Sequence, residues 1–243
     1  MFAMTQRLPP LTMWKVVVLP AFVNLAVALA LGLAPGSIMA KPAQAGDVEP
    51  VRIVAFGDSL TAGYLLSPDD AFPHQLAVGL KARGHAVEII NAGVSGDTTA
   101  GGLQRLDWSV PDGTEAVILE LGANDALRGM PPEEARDNLD AIVTRLKARG
   151  IEVLIAGMQA PKNWGEDYRQ AFDSIFRELA TRHDTLLYPF FLDGVALDPA
   201  LNLDDGLHPN AKGVARIVER ILPVVEELIA RVTARRAKLQ SKS

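Results

Sequence analysis

No cysteine occurs in this chain. That excludes a thiol nucleophile, a cysteine-ligated metal, a disulfide framework and a lipid-modified cysteine anchor. The pattern G-x-S-x-G is also missing, which argues against the α/β-hydrolase nucleophile elbow. The first strand-to-helix turn lacks G-x-G-x-x-G, which disfavours dinucleotide binding. Positive charge is in short supply, with 24 Lys and Arg against 29 Asp and Glu. An acidic chain without a basic stripe is a poor nucleic-acid binder, because phosphate contacts supply most of that affinity. Histidine occurs only four times, so few residues are available as a general base.

The N-terminus differs from the rest. Residues 1–45 contain Arg7, Lys15 and Lys41 and no acidic residue. An apolar run from Val16 to Leu33 is broken only by Pro20, Asn24 and Gly32, and small residues follow as far as Ala43-Gln44-Ala45. A basic start, an apolar middle and an A-x-A end make up a secretory signal peptide. Cleavage is expected after Ala45, leaving Gly46 first, with Ala40 as second choice. The alternative is a retained anchor, since the run approaches the minimum for spanning a bilayer. Removing the three basic residues of this segment leaves 21 basic against 29 acidic residues, a net charge of −8. A periplasmic or secreted protein is expected, its stability resting on its core rather than on disulfides.

Beyond a short linker at 46–50, apolar runs alternate with helical patterns. Strands are expected at 51–56, 86–90, 116–121, 151–158 and 185–189. Helices are expected at 72–83, 133–149, 168–182 and from Asn210 to roughly Arg235, the last kinked at Pro223. The tail after Ala234 reads as frayed and solvated. Alternating strands and helices imply parallel pairing and one domain over residues 51–235: a three-layer α/β/α sandwich on a five-stranded parallel sheet. Ligands in such folds sit beyond the carboxyl ends of the strands.

Four segments stand at those ends. After the first strand comes Gly57-Asp58-Ser59-Leu60-Thr61, where a serine can present its hydroxyl at the strand end, or simply cap a helix. After the second comes Asn91-Ala92-Gly93-Val94-Ser95-Gly96-Asp97-Thr98, whose backbone N–H groups can face an anion; as a plain turn, it would use Asp97 or Thr98 as a cap. After the third, Asn124 in Gly122-Ala123-Asn124-Asp125 can donate its amide into the same cleft, or close a local turn. In the loop after the fifth lies Asp204-Asp205-Gly206-Leu207-His208-Pro209-Asn210. An aspartate and a histidine three apart can meet side chain to side chain, which fixes the imidazole tautomer and leaves Nε2 free as a base. A metal loop on the two aspartates would need more hard ligands than this segment offers. His85 and His183 fall at the amino ends of strands and His74 lies in the first helix. Only His208 falls at the carboxyl edge.

Together, GDSLTAGY at 57–64, NAGVSGDT at 91–98, GAND at 122–125 and DGLHPN at 205–210 resemble the SGNH (GDSL) hydrolase family. Within it, LELGANDALRG and DDGLHPN resemble an exported bacterial group of thioesterases, lysophospholipases and arylesterases. The resemblance implies a flavodoxin-like sheet and a serine esterase without metal or organic cofactor. It assigns the nucleophile to Ser59, the acid and base to Asp205 and His208, and the oxyanion hole to Ser59, Gly96 and Asn124. Asp58 becomes an organiser of the turn. Leu127, Met130 and Pro161 are expected to line the substrate site. The expected substrate is a small-molecule or lipid ester, with transient contact to membrane lipids and a monomeric state. A carbohydrate O-deacetylase would use the same triad, and a non-catalytic binding domain is the remaining alternative.

Overall fold

The computed structural model describes residues 49–241. The expected leader, its processing point and most of the 46–50 linker lie outside the described residues. Five strands, β1 (Val51–Gly57), β2 (Val87–Gly93), β3 (Ala116–Glu120), β4 (Glu152–Ala156) and β5 (Leu186–Tyr188), form one parallel sheet in the order β2-β1-β3-β4-β5. The central strands are apolar and buried along almost their whole length, because helices cover both faces of a parallel sheet.

Helix α1 (Ser59–Ala62) is a single turn, followed by α2 (Phe72–Ala82), α3 (Thr99–Ser109), the short α4 (Ala123–Leu127), α5 (Pro132–Ala148), α6 (Glu166–His183) and α7 (Ala211–Gln240). α2 packs against α7, while α3, α5 and α6 pack in series. Right-handed crossovers put these two groups on opposite faces, completing the three layers. The chain leaves β1 toward β2 in one direction and reaches β3 in the other. The carboxyl ends of these three strands therefore surround a topological switch point, where a crevice opens.

Two expectations need correction. β2 does not end at Ile90: Asn91, Ala92 and Gly93 pair with Ala55, Phe56 and Gly57, so the first three residues of the 91–98 segment are strand. Pro223 leaves one turn of α7 without its N–H, and the helix runs on through it as expected. The tail after Ala234 is not frayed, because α7 runs on to Gln240. Arg236 holds it there, its Nε donating to Glu115 Oε1 at 2.6 Å and its Nη atoms donating to the carbonyls of Glu49 and Pro50 at 2.8 and 3.0 Å.

Candidate active site

Asp58, not Ser59, caps α1. Its Oδ1 accepts from the Leu60 N–H at 3.0 Å, which leaves the Ser59 hydroxyl free of capping duty. The Ser59 N–H is the first of its helix and has no intrahelical partner. Gly57 is required by close approach: a Cβ there would run into the side chains of Thr61 and Glu120.

His208 reaches the same spot from the loop before α7. That loop is pinned by an antiparallel bridge between Asn202 and Pro209. Asn210 donates to the carbonyls of Ala200 and Asn202 and caps α7 by accepting from the N–H groups of Lys212 and Gly213. With its proton on Nδ1, the imidazole donates to Asp205 Oδ2 at 2.6 Å, and Nε2 accepts from the Ser59 hydroxyl at 2.9 Å. Asp205 Oδ1 accepts from the backbone N–H groups of His208 and Leu207 at 3.0 and 2.9 Å. Chiefly because of those N–H groups, with the His208 side chain adding to them, the Asp205 carboxyl is held down at about 2. Asp204 is exposed and its carboxylate has no partner among the described residues. The Tyr64 ring lies 4.5 Å from the imidazole, centroid to centroid, and flanks it.

Thr98 is the cap of α3, its hydroxyl accepting from the Gly101 N–H. Gly96 sits just before it with φ +81, a backbone shape that favours glycine. Its carbonyl accepts from Arg128 at 2.9 Å, and its N–H has no partner among the described residues. The Asn124 amide donates to the Asp97 carbonyl at 2.9 Å and to Asp58 Oδ2 at 3.2 Å. Thr99 bonds through both N–H and hydroxyl to buried Asp125, at 2.9 and 2.6 Å, tying α3 to α4.

Two acids lie buried beneath the turn, Asp58 of the motif and Glu120, which carries no expectation from the motifs. Glu120 closes β3; its Oε2 accepts from the Thr61 hydroxyl at 2.7 Å and the Asp58 N–H at 3.3 Å, while Oε1 has no partner among the described residues. Burial, then the charge of Asp58, pushes Glu120 well above the usual carboxylate range. Burial likewise lifts Asp58 to about 6. Arg105, buried in α3, was also missed. An acid ending the apolar run AVILE and an arginine between Leu103 and Leu106 were the available signals, since a charge amid apolar neighbours is rarely idle.

The expected lining residues are placed less decisively. Leu127 is exposed at the end of α4. The Met130 carbonyl accepts from the Tyr168 hydroxyl at 2.8 Å. Pro161 starts a single 3₁₀ turn, Lys162–Trp164, whose Trp164 ring lies against Gly129. The loops after β3 and β4 therefore meet.

A parallel sheet with a serine–histidine–aspartate chain at its switch point defines a serine hydrolase. Residues 55–216 match the family model of the GDSL-like lipases and acylhydrolases. The chain is 38% identical over 182 residues to an arylesterase of Vibrio mimicus, covering 73% of this chain and 88% of that one. It is 35% identical over 178 residues to the thioesterase 1/protease 1/lysophospholipase L1 of Escherichia coli, covering 73% and 84%. Among solved structures, the SGNH-hydrolase family esterase AlinE4 aligns with a TM-score of 0.63 and 47% identity, over 74% of this chain and 96% of that one. The chain belongs to the GDSL-like lipase/acylhydrolase family and is an SGNH-type ester hydrolase.

Proposed function

We propose that this enzyme hydrolyses carboxylic esters, acyl thioesters included, through an acyl-enzyme on Ser59. The observation that carries the reading is the continuous hydrogen-bond chain from Ser59 Oγ through His208 to Asp205. His208 takes the serine proton as the oxygen attacks the carbonyl carbon. The resulting oxyanion is met by the N–H groups of Ser59 and Gly96 and by the Asn124 amide, which gives up its longer bond to Asp58. His208 returns the proton to the leaving alcohol or thiol as the bond to it breaks. Water then repeats the attack, and the carboxylic acid leaves with Ser59 restored. Asp205, ionised at any pH well above 2, steadies the imidazolium that forms in between.

Leu127, Met130 and Pro161 are proposed to receive the acyl or aryl group, with substrates extending from aryl esters to lysophospholipids. The relatives named arylesterase and lysophospholipase support this range. The leader supports export to the periplasm or beyond, where a monomeric enzyme meeting lipids only transiently is proposed to act; sequencing its N-terminus should return Gly46.

The test is a panel of acyl esters and thioesters of rising chain length, with intact-mass analysis of the enzyme during turnover. A serine-linked acyl adduct on the peptide containing Ser59 is expected, with activity beyond acetyl. Activity confined to acetylated sugars would instead mark an O-deacetylase, and turnover surviving Ser59→Ala would contradict the mechanism.

A further inference from the structure

Among the described residues, Arg105 is the one buried cation. It reaches from α3 to the carboxyl edge of the sheet and binds three separate pieces of chain. Nη2 donates to the Gly57 carbonyl at 2.8 Å, Nη1 to the Ala92 carbonyl at 2.9 Å and Nε to Asp97 Oδ2 at 2.7 Å. Nη1 also meets the Ser109 hydroxyl at 3.2 Å, and the guanidinium lies 4.1 Å above the Phe56 ring. Taking such an ion pair out of water is costly, and an apolar filling would often be at least as stable. Stability alone is therefore a poor reason for it.

What these partners share is their place in the site. Gly57 stands two residues before Ser59. Asp97 follows Gly96 directly, and its carbonyl accepts from Asn124. Each group assigned to the oxyanion is thus one hydrogen bond or two residues from an atom that Arg105 holds. A planar fork with five donors can bind acceptors in three directions at once, which an ammonium on a flexible stem cannot reproduce.

We infer that Arg105 is a positioning residue that sets the Ser59, Gly96 and Asn124 donors in register across β1, β2 and α4. The inference rests on the acyl-transfer reading above. Because the oxyanion exists only beyond the ground state, misplaced donors lower turnover and leave substrate binding nearly unchanged.

The experiment compares the mature enzyme with Arg105→Lys, Arg105→Met, Asp97→Asn and Ser59→Ala. Arg236→Met, which breaks a pair at the opposite end of the sheet, is the control. Fold is checked by near-UV circular dichroism, and kcat and KM are measured on a short acyl ester. Arg105→Lys and Arg105→Met should lower kcat about 10²-fold, the scale of one lost oxyanion donor, with KM within about threefold. Asp97→Asn should lose kcat in the same sense, and its combination with Arg105→Met should be little worse, because the two act as one unit. Arg236→Met should lower the melting temperature and leave kcat unchanged. If the Arg105 variants do not fold, the milder Asp97→Asn decides. Wild-type kcat in folded Arg105 or Asp97 variants, or a loss carried mainly in KM, would overturn the inference while Ser59→Ala is inactive. Activity in Ser59→Ala would instead bring down the acyl-transfer reading itself.

Discussion

His183 and His208 lie at opposite ends of the sheet, and each bonds to an aspartate, at 2.8 Å to Asp140 and 2.6 Å to Asp205. His85 makes a third such pair with Glu226 at 3.1 Å. A histidine beside a carboxylate is therefore not by itself a sign of chemistry. The difference is the other ring nitrogen: that of His208 meets a serine hydroxyl, while among the described residues no other bond is found for the ring of His183 or His85. The surroundings diverge in the same way. At the amino end, charges face one another across partly exposed pairs such as Arg182 with Asp140 and Arg83 with Glu226. At the carboxyl end, Asp58, Glu120, Asp125 and Arg105 are buried. One end satisfies its charges near water, and the other holds polar groups in place at a cost to stability.

The strongest break in that symmetry should come from the histidines themselves. His208→Ala is expected to lower kcat by at least ~10³-fold, and the double change with Ser59→Ala to be little worse, since the two act as a unit. His85→Ala and His183→Ala should keep wild-type kcat. Steady-state assays on a short acyl ester decide, and a large loss in His183→Ala would erase the distinction.

Asp205→Asn should follow, with a loss of ~10²- to 10⁴-fold through the wrong tautomer and the missing charge. Asp204→Asn should change kcat less than about twofold, as suits an exposed carboxylate outside any network. The reverse order would shift the assignment by one residue.

A smaller effect concerns pH and stability. Asp58 is lifted to about 6 by burial, from 3.8. As pH rises through that interval the unfolded chain ionises first, so folded stability falls, by on the order of 2–3 kcal/mol from this group. Asp205 works the other way: its pKa is depressed, so its contribution is complete above 3.8 and is lost as pH falls toward about 2. Urea unfolding across pH should show Asp58→Asn gaining on the wild type between 3.8 and about 6, and Asp205→Asn losing ground between about 2 and 3.8. Parallel curves would contradict both. Smallest of all, breaking the exposed Arg182–Asp140 pair should cost about 0–1 kcal/mol.

Much of this was legible in the sequence because local rules agreed. Apolar runs alternating with helical patterns marked the strands, and each of the four motif segments falls at or beside a carboxyl end. Ser59, His208 and Asp205 could be picked out because histidine is scarce and only His208 falls at that edge. What was not legible depends on tertiary neighbours. The extension of β2 through Gly93 needs β1 beside it. α3, for which no helix was expected although Thr98 was read as a possible cap, opens with Thr99-Ala100-Gly101-Gly102, a poor helical start whose anchor, Asp125, lies in α4. The last turns of α7 need Glu115 and the carbonyls of Glu49 and Pro50. The roles of Arg105 and Glu120 depend on partners up to 62 residues away. The lining of the substrate site depends on how two loops meet over Gly129, which no periodicity encodes.

The central claim is that one serine at the carboxyl edge, Ser59, is the nucleophile. Ser95 lies in the same crevice region, beside Gly96, and is its natural competitor. Treating the enzyme with a fluorophosphonate and mapping the adduct by peptide mass spectrometry tests this directly. The account predicts one phosphonyl group, on Ser59, with activity lost in proportion to labelling and no labelling in His208→Ala on the same timescale. An adduct on Ser95, or full activity in an enzyme labelled at Ser59, would contradict it.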